Sequence, residues 1–260
     1  MNKHFKAALL AVSLATAGQA FAVTTWTVGT GAAASGAAVS AAGTAITAKA
    51  TAWADTDDSK GTNPRALEGQ NFTSWPGLGI YNNDRCGIAG APVDCDVNEG
   101  SQPEHAIDNN ERYEMAMISF TGGPVNLTSA NFSWSGSDSD YTILAYTGVA
   151  GGEGLAGKTW GTLTGWTVIG NYSSSSTGDK AFANTTYSSF WLIGAYNPLG
   201  GTPDSAYAGA DAFKLASVSG NLCSPGNPGC GGSNVPEPGS LVLMGIGLLG
   251  LVRMRRAGQK

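Results

Sequence analysis

The chain has 260 residues, of which 42% are hydrophobic and only 13% charged, with 38 glycines and a formal net charge of −5. Glycine stands at about twice its average usage and charge at about half, a balance that excludes a helical bundle. The 7 Trp, 8 Tyr and 8 Phe supply a core and exclude a disordered chain.

In chain order, Lys3, His4 and Lys6 form a basic start, and Ala7–Ala17 is apolar apart from Ser13 and Thr16. Ala20-Phe21-Ala22 then places small residues at the two positions a signal peptidase reads. Residues 1–22 are therefore expected to be a signal peptide cut after Ala22. Residues 23–234 hold 8 Lys/Arg against 18 Asp/Glu, a net charge of −10. That sign opposes binding to nucleic acid and to anionic lipid, both of which need basic patches, and suits a soluble exported surface or cation binding.

Nine β-like stretches follow. They are Val23–Val28, Ala45–Trp53, Trp75–Tyr81, Tyr113–Phe120, Leu127–Trp134, Tyr141–Tyr146, Trp166–Tyr172, Phe190–Tyr196 and Ala212–Val218. Within one of them Tyr141, Ile143 and Ala145 share a face and Thr142, Leu144 and Tyr146 the other, the period-two pattern of a strand. Gly, Asn, Ser and Pro clusters mark the turns between, and no window carries a long amphipathic helical pattern. The fold expected is all-β, a single jelly-roll-like β-sandwich over residues 23–220. The Ala/Gly/Ser-rich segment Gly29–Gly43 reads as a flat strand or a flexible arm, and residues 221–234 as a spacer.

Four cysteines in an exported chain point to disulfides. Local pairing, Cys86 with Cys95 and Cys223 with Cys230, is expected from separations of nine and seven residues. In the chain-entropy model each such loop contributes roughly 2.5–3 kcal/mol. The spacing is too wide for the C-x₂₋₄-C ligand pairs of a zinc site.

Chemical motifs are few. Gly152–Thr159 matches the phosphate-binding pattern G-x₄-G-K-[ST], but Trp160-Gly-Thr-Leu-Thr-Gly165-Trp166 after it reads as turn and strand, where the chemistry needs a helix N-terminus. His105 is the one histidine of residues 23–234, and no G-x-S-x-G occurs, so nucleophilic catalysis has little to stand on. A glycoside hydrolase built on two carboxylates needs no fixed spacing and stays open as an alternative. Residues 84–114 hold eight acids, and within them Asp94, Asp96 and Asn98 place oxygen ligands at positions 1, 3 and 5 of a calcium-type loop, with Glu99 beside them. Gly100 falls at position 7 where such loops have Gly at 6, and His105 stands at position 12 where they have Glu. The reading set against calcium is a solvated acidic loop pinned by Cys86–Cys95. Asp108, Asn109, Asp138 and Asp140 read as turn caps. Trp134, Trp166 and Trp191 read as core, whereas Trp53 and Trp75 are the better candidates for stacking on sugars.

The C-terminal end is tripartite. Val235-Pro236-Glu237-Pro238 precedes an apolar run over 240–252, and Arg253, Arg255, Arg256 and Lys260 follow. Twelve apolar residues rise only about 18 Å as a helix against a hydrocarbon core of about 30 Å, so the segment suits temporary anchoring, with the arginines held on the cytoplasmic side. These three parts in this order resemble the PEP-CTERM sorting signal of Gram-negative bacteria, here residues 235–260. The resemblance implies recognition by a membrane-embedded exosortase, cleavage near Pro236, Glu237 and Pro238, and transfer from an inner-membrane intermediate to the cell surface or an extracellular (biofilm) matrix. Pro103–Asn109, Gly77–Asn82 and Ser133–Asp140, taken together, resemble PEP-CTERM surface proteins with a β-rich ectodomain over roughly residues 72–220, a likeness that brings no assigned activity.

The function expected is a non-catalytic exported surface or matrix protein without a required cofactor, calcium at Asp94, Asp96, Asn98 and Glu99 being the candidate ion. Its expected partners are signal peptidase, the exosortase, exopolysaccharide and, before processing, the membrane. A secreted glycan-binding module or a carboxylate-based glycan hydrolase is the alternative.

Overall fold

A computed structural model of the chain describes residues 23–30, 37–57, 65–74, 76–89, 91–97, 99, 105–224 and 230. The expected signal peptide, the sorting signal with its apolar run, Trp75 and Asn98 lie outside the described residues.

The described chain is almost all strand: β1 (Thr24–Thr27), β2 (Val39–Ser40), β3 (Thr47–Asp57), β4 (Ala66–Ser74), β5 (Leu78–Tyr81), β6 (Ile107–Asp108), β7 (Glu114–Thr121), β8 (Val125–Ser135), β9 (Tyr141–Tyr146), β10 (Trp166–Tyr172), β11 (Gly178–Ala181), β12 (Phe190–Ala195) and β13 (Ala212–Leu222). One layer runs β11–β8–β13, with β1, β5 and β6 along the other edge of β13. The second runs β10–β9–β12–β7–β3, with β2 at the start of β3. From β7 onward successive strands pass back and forth between the layers, as in a jelly roll; the hairpin β9–β10 alone stays within one. Strand β4 joins them. Its first half pairs with β3 (Asp57↔Ala66 to Ala52↔Gln70) and its second half with β5 (Asn71↔Tyr81 to Ser74↔Leu78).

All nine expected strands are present. Missing from the expectation were β4, β6 and β11, while β2 falls in Gly29–Gly43, read as a flat strand or a flexible arm. Val39–Ser40 is the short strand within the Ala/Gly/Ser-rich stretch, whose residues 31–36 lie outside the described residues.

Alternation decides which residues enter the core. On β3 the buried positions are Ala48, Ala50, Ala52 and Ala54, with Thr, Lys or Trp between them. Ala48, Ala50 and Ala52 share one cluster with the fully buried Trp26 and Trp191, large side chains that need the room. The indole NH of Trp26 donates to Ile46 O at 3.0 Å, and that of Trp191 donates to Val125 O and Ser188 O at 3.2 and 3.1 Å. Phe132 stacks on Phe213 at 3.9 Å between centroids. Each such side chain contributes about 1.5–3 kcal/mol by leaving water.

Strand β9 is buried on both faces, which a two-layer sandwich does not explain by itself. The cover is the segment 147–165, which lays Leu155 and Trp160 on Leu144, Leu192, Met115 and Leu67 across the outer face of the second layer. Leu67 N donates to Lys158 O and Gly157 N to Leu67 O, at 2.7 and 3.0 Å. Gly152–Thr159 is thus packed cover, followed by a three-residue 3-10 turn, Trp160–Thr162, rather than a helix.

Gly79 shows how closely the chain after residue 100 crosses β5. A Cβ at this position would lie 1.3 Å from His105 O, and Ile80 N donates to Ala106 O at 2.8 Å. Gly79→Ala should therefore lower the melting temperature by about 5–10 °C, as overpacking costs about 1–3 kcal/mol and each kcal/mol is worth about 2–4 °C at this size. Gly154→Ala, where an added Cβ meets nothing within 4 Å, is the control and should melt with the parent.

Candidate functional site

Strands β5, β6, β7 and β13 all terminate at one end of the sandwich, and the acidic residues collect there. The chain leaves β5 at Tyr81 and turns at Asn82, which is fully buried. Asn82 Oδ1 accepts from Asp84 N at 3.1 Å, which orients the amide. Its Nδ2 then stands 3.1 Å from Asp96 Oδ2, 3.2 Å from Glu99 Oε2 and 3.1 Å from Glu114 Oε1. An amide nitrogen has two hydrogens, so three carboxylates share fewer donors than they could use. Backbone amides add to the supply: Asn82 N donates to Glu99 Oε1, Glu99 N to Asp96 Oδ1 and Asp108 N to Glu114 Oε2, at 3.1, 3.1 and 3.3 Å. Burial pushes the Glu114 carboxyl well above the usual range, and the negative charges of Asp108 and Glu99 push it the same way.

Two guanidinium groups hold the other side of the loop. Arg65, just before β4, and Arg112, just before β7, are both buried and converge on Asp84 Oδ2, with Arg65 Nη1 at 3.1 Å and Arg112 Nε at 2.6 Å. Arg65 also bonds the Asp94 carboxylate, and Arg112 Nη2 donates to Asp94 O at 2.6 Å. Hydrogen bonding to Arg65 holds the Asp94 carboxyl below its ordinary value. The disulfide Cys86–Cys95 closes this loop, and Cys223–Cys230 closes the one after β13.

The expected calcium ligands are thus divided. Asp94 faces the two arginines, Asp96 and Glu99 face Asn82, and Asn98 lies outside the described residues. Asn82, Arg65 and Glu114, which organise the loop, carry no spacing signal that would have tied them to it.

A second carboxylate group lies at the same end. Ligand oxygens of Asp138, Asp140 and Asp211 fall within 4.8 Å of one another, beside an open cleft lined by Asp138, Asp140 and Ser173–Ser175. Asp108 caps a turn, accepting from Asn110 N at 3.0 Å, whereas Asp138 accepts from its neighbour Ser139 N at 3.1 Å and Asp140 from the distant Ser174 N at 2.6 Å. Asp211, which the sequence did not single out, is fully buried and accepts from Asp140 N at 2.8 Å and from Asn109 Nδ2 at 2.7 Å. Burial raises its carboxyl to about 7, helped by the charges of Asp138 and Asp140. Three carboxylates on one side of a cleft form an oxygen donor set of the kind hard cations take.

Other residues singled out by type have structural partners. His105 packs its ring on Tyr81 at 4.8 Å, and its Nδ1 has no hydrogen-bond partner among the described residues. Trp191 is core as expected, whereas Trp134 and Trp166 are half-buried, like Trp53. The rings around Tyr146 meet edge to face, at 62° with Trp166 and 85° with Phe190, so they do not form the flat platform on which a sugar face stacks.

Residues 234–256 match the family model of the PEP-CTERM protein-sorting motif. The chain is therefore an exported protein of the exosortase-sorted class, bound for the cell surface, with the exosortase as its processing partner. No curated protein and no solved structure matches the chain.

Asp55, on β3 at the same end, accepts from Tyr113 N at 2.7 Å, and burial raises its carboxyl from 3.8 to about 7. Between about pH 4 and 7 the folded state holds a proton that the unfolded chain has lost, so stability falls as pH rises through that window and is level above it. Asp55→Asn keeps the acceptor for Tyr113 and removes the charge. Its melting temperature should equal the parent's at pH 4 and exceed it at pH 8 by about 8–16 °C, which corresponds to about 4 kcal/mol.

Proposed function

We propose that the sandwich is a non-catalytic surface or matrix module, delivered by the exosortase and associated there with exopolysaccharide. The sorting motif carries this reading, since it commits the chain to export and to the cell surface. The geometry supports the non-catalytic part. The buried charged groups at the acidic end are partnered with one another or with backbone amides, and among the described residues His105 Nδ1 has no acid partner of the kind a serine nucleophile's base would need. Residues 1–22 act as the signal peptide, cut after Ala22 by signal peptidase, and the 240–252 segment holds an inner-membrane intermediate.

Calcium binding at the acidic end is the accompanying proposal, supported by the carboxylate excess around Asn82 and by the Asp138, Asp140 and Asp211 group. Extracellular sites of this kind bind at about 10⁻⁴–10⁻³ M, so 10 mM calcium would add about 1.4–2.7 kcal/mol by linkage.

Three measurements check these statements. Intact mass and location, compared in cells with and without the exosortase, should show a shortened surface form in the first and an uncut membrane-held form in the second. The secreted protein should release no product from a panel of polysaccharides; turnover lost in a single Asp→Asn variant would establish the hydrolase instead. A thermal melt in 10 mM calcium against EGTA should show a higher midpoint with calcium, and equal midpoints would leave the loop held by Arg65, Arg112 and its disulfide alone.

A further inference from the structure

The two ends of the described domain leave from one place. Strand β1 is antiparallel to β13 with Thr24 opposite Gly220, which sets Val23 beside the end of β13. Val23, Thr24, Thr25, Ala41, Ala42, Gly43, Leu222 and Ser224 line a single open groove there. Cys223 N donates to Pro124 O at 3.3 Å, and Trp26 anchors the 41–46 turn through Ile46 O, so the segments 41–46, 121–125 and 222–224 build one end.

That end is without charge. Residues 23–30, 37–48, 121–135, 182–190 and 215–224 contain no Asp, Glu, Lys or Arg. The opposite end, where β13 begins, holds Asp55, Asp84, Asp94, Asp96, Glu99, Asp108, Glu114, Asp138, Asp140 and Asp211 against Arg65, Arg85, Arg112 and Lys214. Ten strand residues at 3.3 Å separate the two ends by about 33 Å.

We infer that the uncharged end is the surface the precursor presents to the lipid bilayer, with the acidic end pointing away. The inference rests on the membrane-held intermediate proposed above and adds the side of the domain that faces it. Tether length supports it. The Cys223–Cys230 bond returns the chain to the end of β13, leaving 11 residues to Leu241, a reach of at most about 40 Å. Without the bond, 18 residues would reach about 65 Å. Before signal peptidase acts, only six residues separate Ala17 from Val23, about 22 Å at full extension. Charge supports it independently. An anionic leaflet repels the carboxylate end within a Debye length of about 8 Å and leaves the uncharged end unopposed.

The test uses the full chain in vesicles of phosphatidylethanolamine and phosphatidylglycerol carrying a headgroup acceptor dye. A donor dye is placed on Ala42→Cys at the uncharged end or Ala210→Cys at the acidic end, both exposed positions. With the ends about 33 Å apart, transfer from position 42 should exceed that from position 210 by roughly twofold or more. Replacing both Cys223 and Cys230 by Ser should reduce transfer from position 42 by lengthening the tether. A chain that fails to sediment with the vesicles would overturn the membrane-held intermediate, and this orientation with it. A chain that sediments and gives equal transfer from both positions, or more from 210, overturns the orientation alone.

Discussion

Strand β13 is hydrogen-bonded along both edges, to β8 on one side and to β1, β5 and β6 on the other. This constraint sets the polarity of the molecule. Pairing with β1 brings the start of the domain to the strand's C-terminal end. Pairing with β6 at Ala212↔Asp108 and Phe213↔Ile107 brings the acidic segment to its N-terminal end. Neither arrangement could slip by one residue, because Phe213, Leu215 and Val218 must stay on the core face.

At the acidic end the fold works against repulsion. Burying a carboxylate costs several kcal/mol unless partners offset it, and two guanidinium groups serve a larger number of acids. The acids respond in two ways. Hydrogen bonding to Arg65 holds Asp94 toward the ionised form, while burial shifts Asp55, Asp84, Glu114 and Asp211 toward the protonated form, at Asp84 against the pull of Arg112 and Arg65. The arginines are therefore positional: they tie the Cys86–Cys95 loop to the strands that follow each of them, β4 and β7. Removing both would leave Asp84 without either guanidinium in a buried site, a loss of about 3–5 kcal/mol.

The strands were legible where one periodicity holds over a whole element. Tyr141–Tyr146 and Trp166–Tyr172 begin and end in the structure where the pattern places them. Strand β4 was not legible, because its halves pair with different layers around Gly69 and Gln70, and neither half is long enough to show an alternation. The acid-rich stretch was visible as composition. Its organisation was not, because Asn82 meets Glu114 across 32 residues of chain and Arg65 meets Asp94 across 29, and spacing rules see only neighbours. The same limit applies to Asp211, which joins Asp138 and Asp140 from 71 residues beyond Asp140.

The repulsion is tolerable because of where it is confined. The side chains clustered around Trp26, Ile118, Phe132, Ile143 and Trp191 include no carboxylate and no cation, and burial raises the Tyr141 phenol among them to about 12, so their packing is indifferent to the charge state of the loops. The acids stand on connections or toward the ends of strands (Asp55 on β3, Asp108 on β6, Glu114 on β7), where the chain can take up protons with little effect on the ladder that holds the sheets. A chain with so few charges could have scattered them over its surface. Gathering them at the start of β13 leaves the end of β13 to Thr, Ser, Asn, Gly and Ala, residues that satisfy edge hydrogen bonds and add no field. A module so divided can rest one end on a membrane or matrix surface while the other responds to ions and pH in the medium.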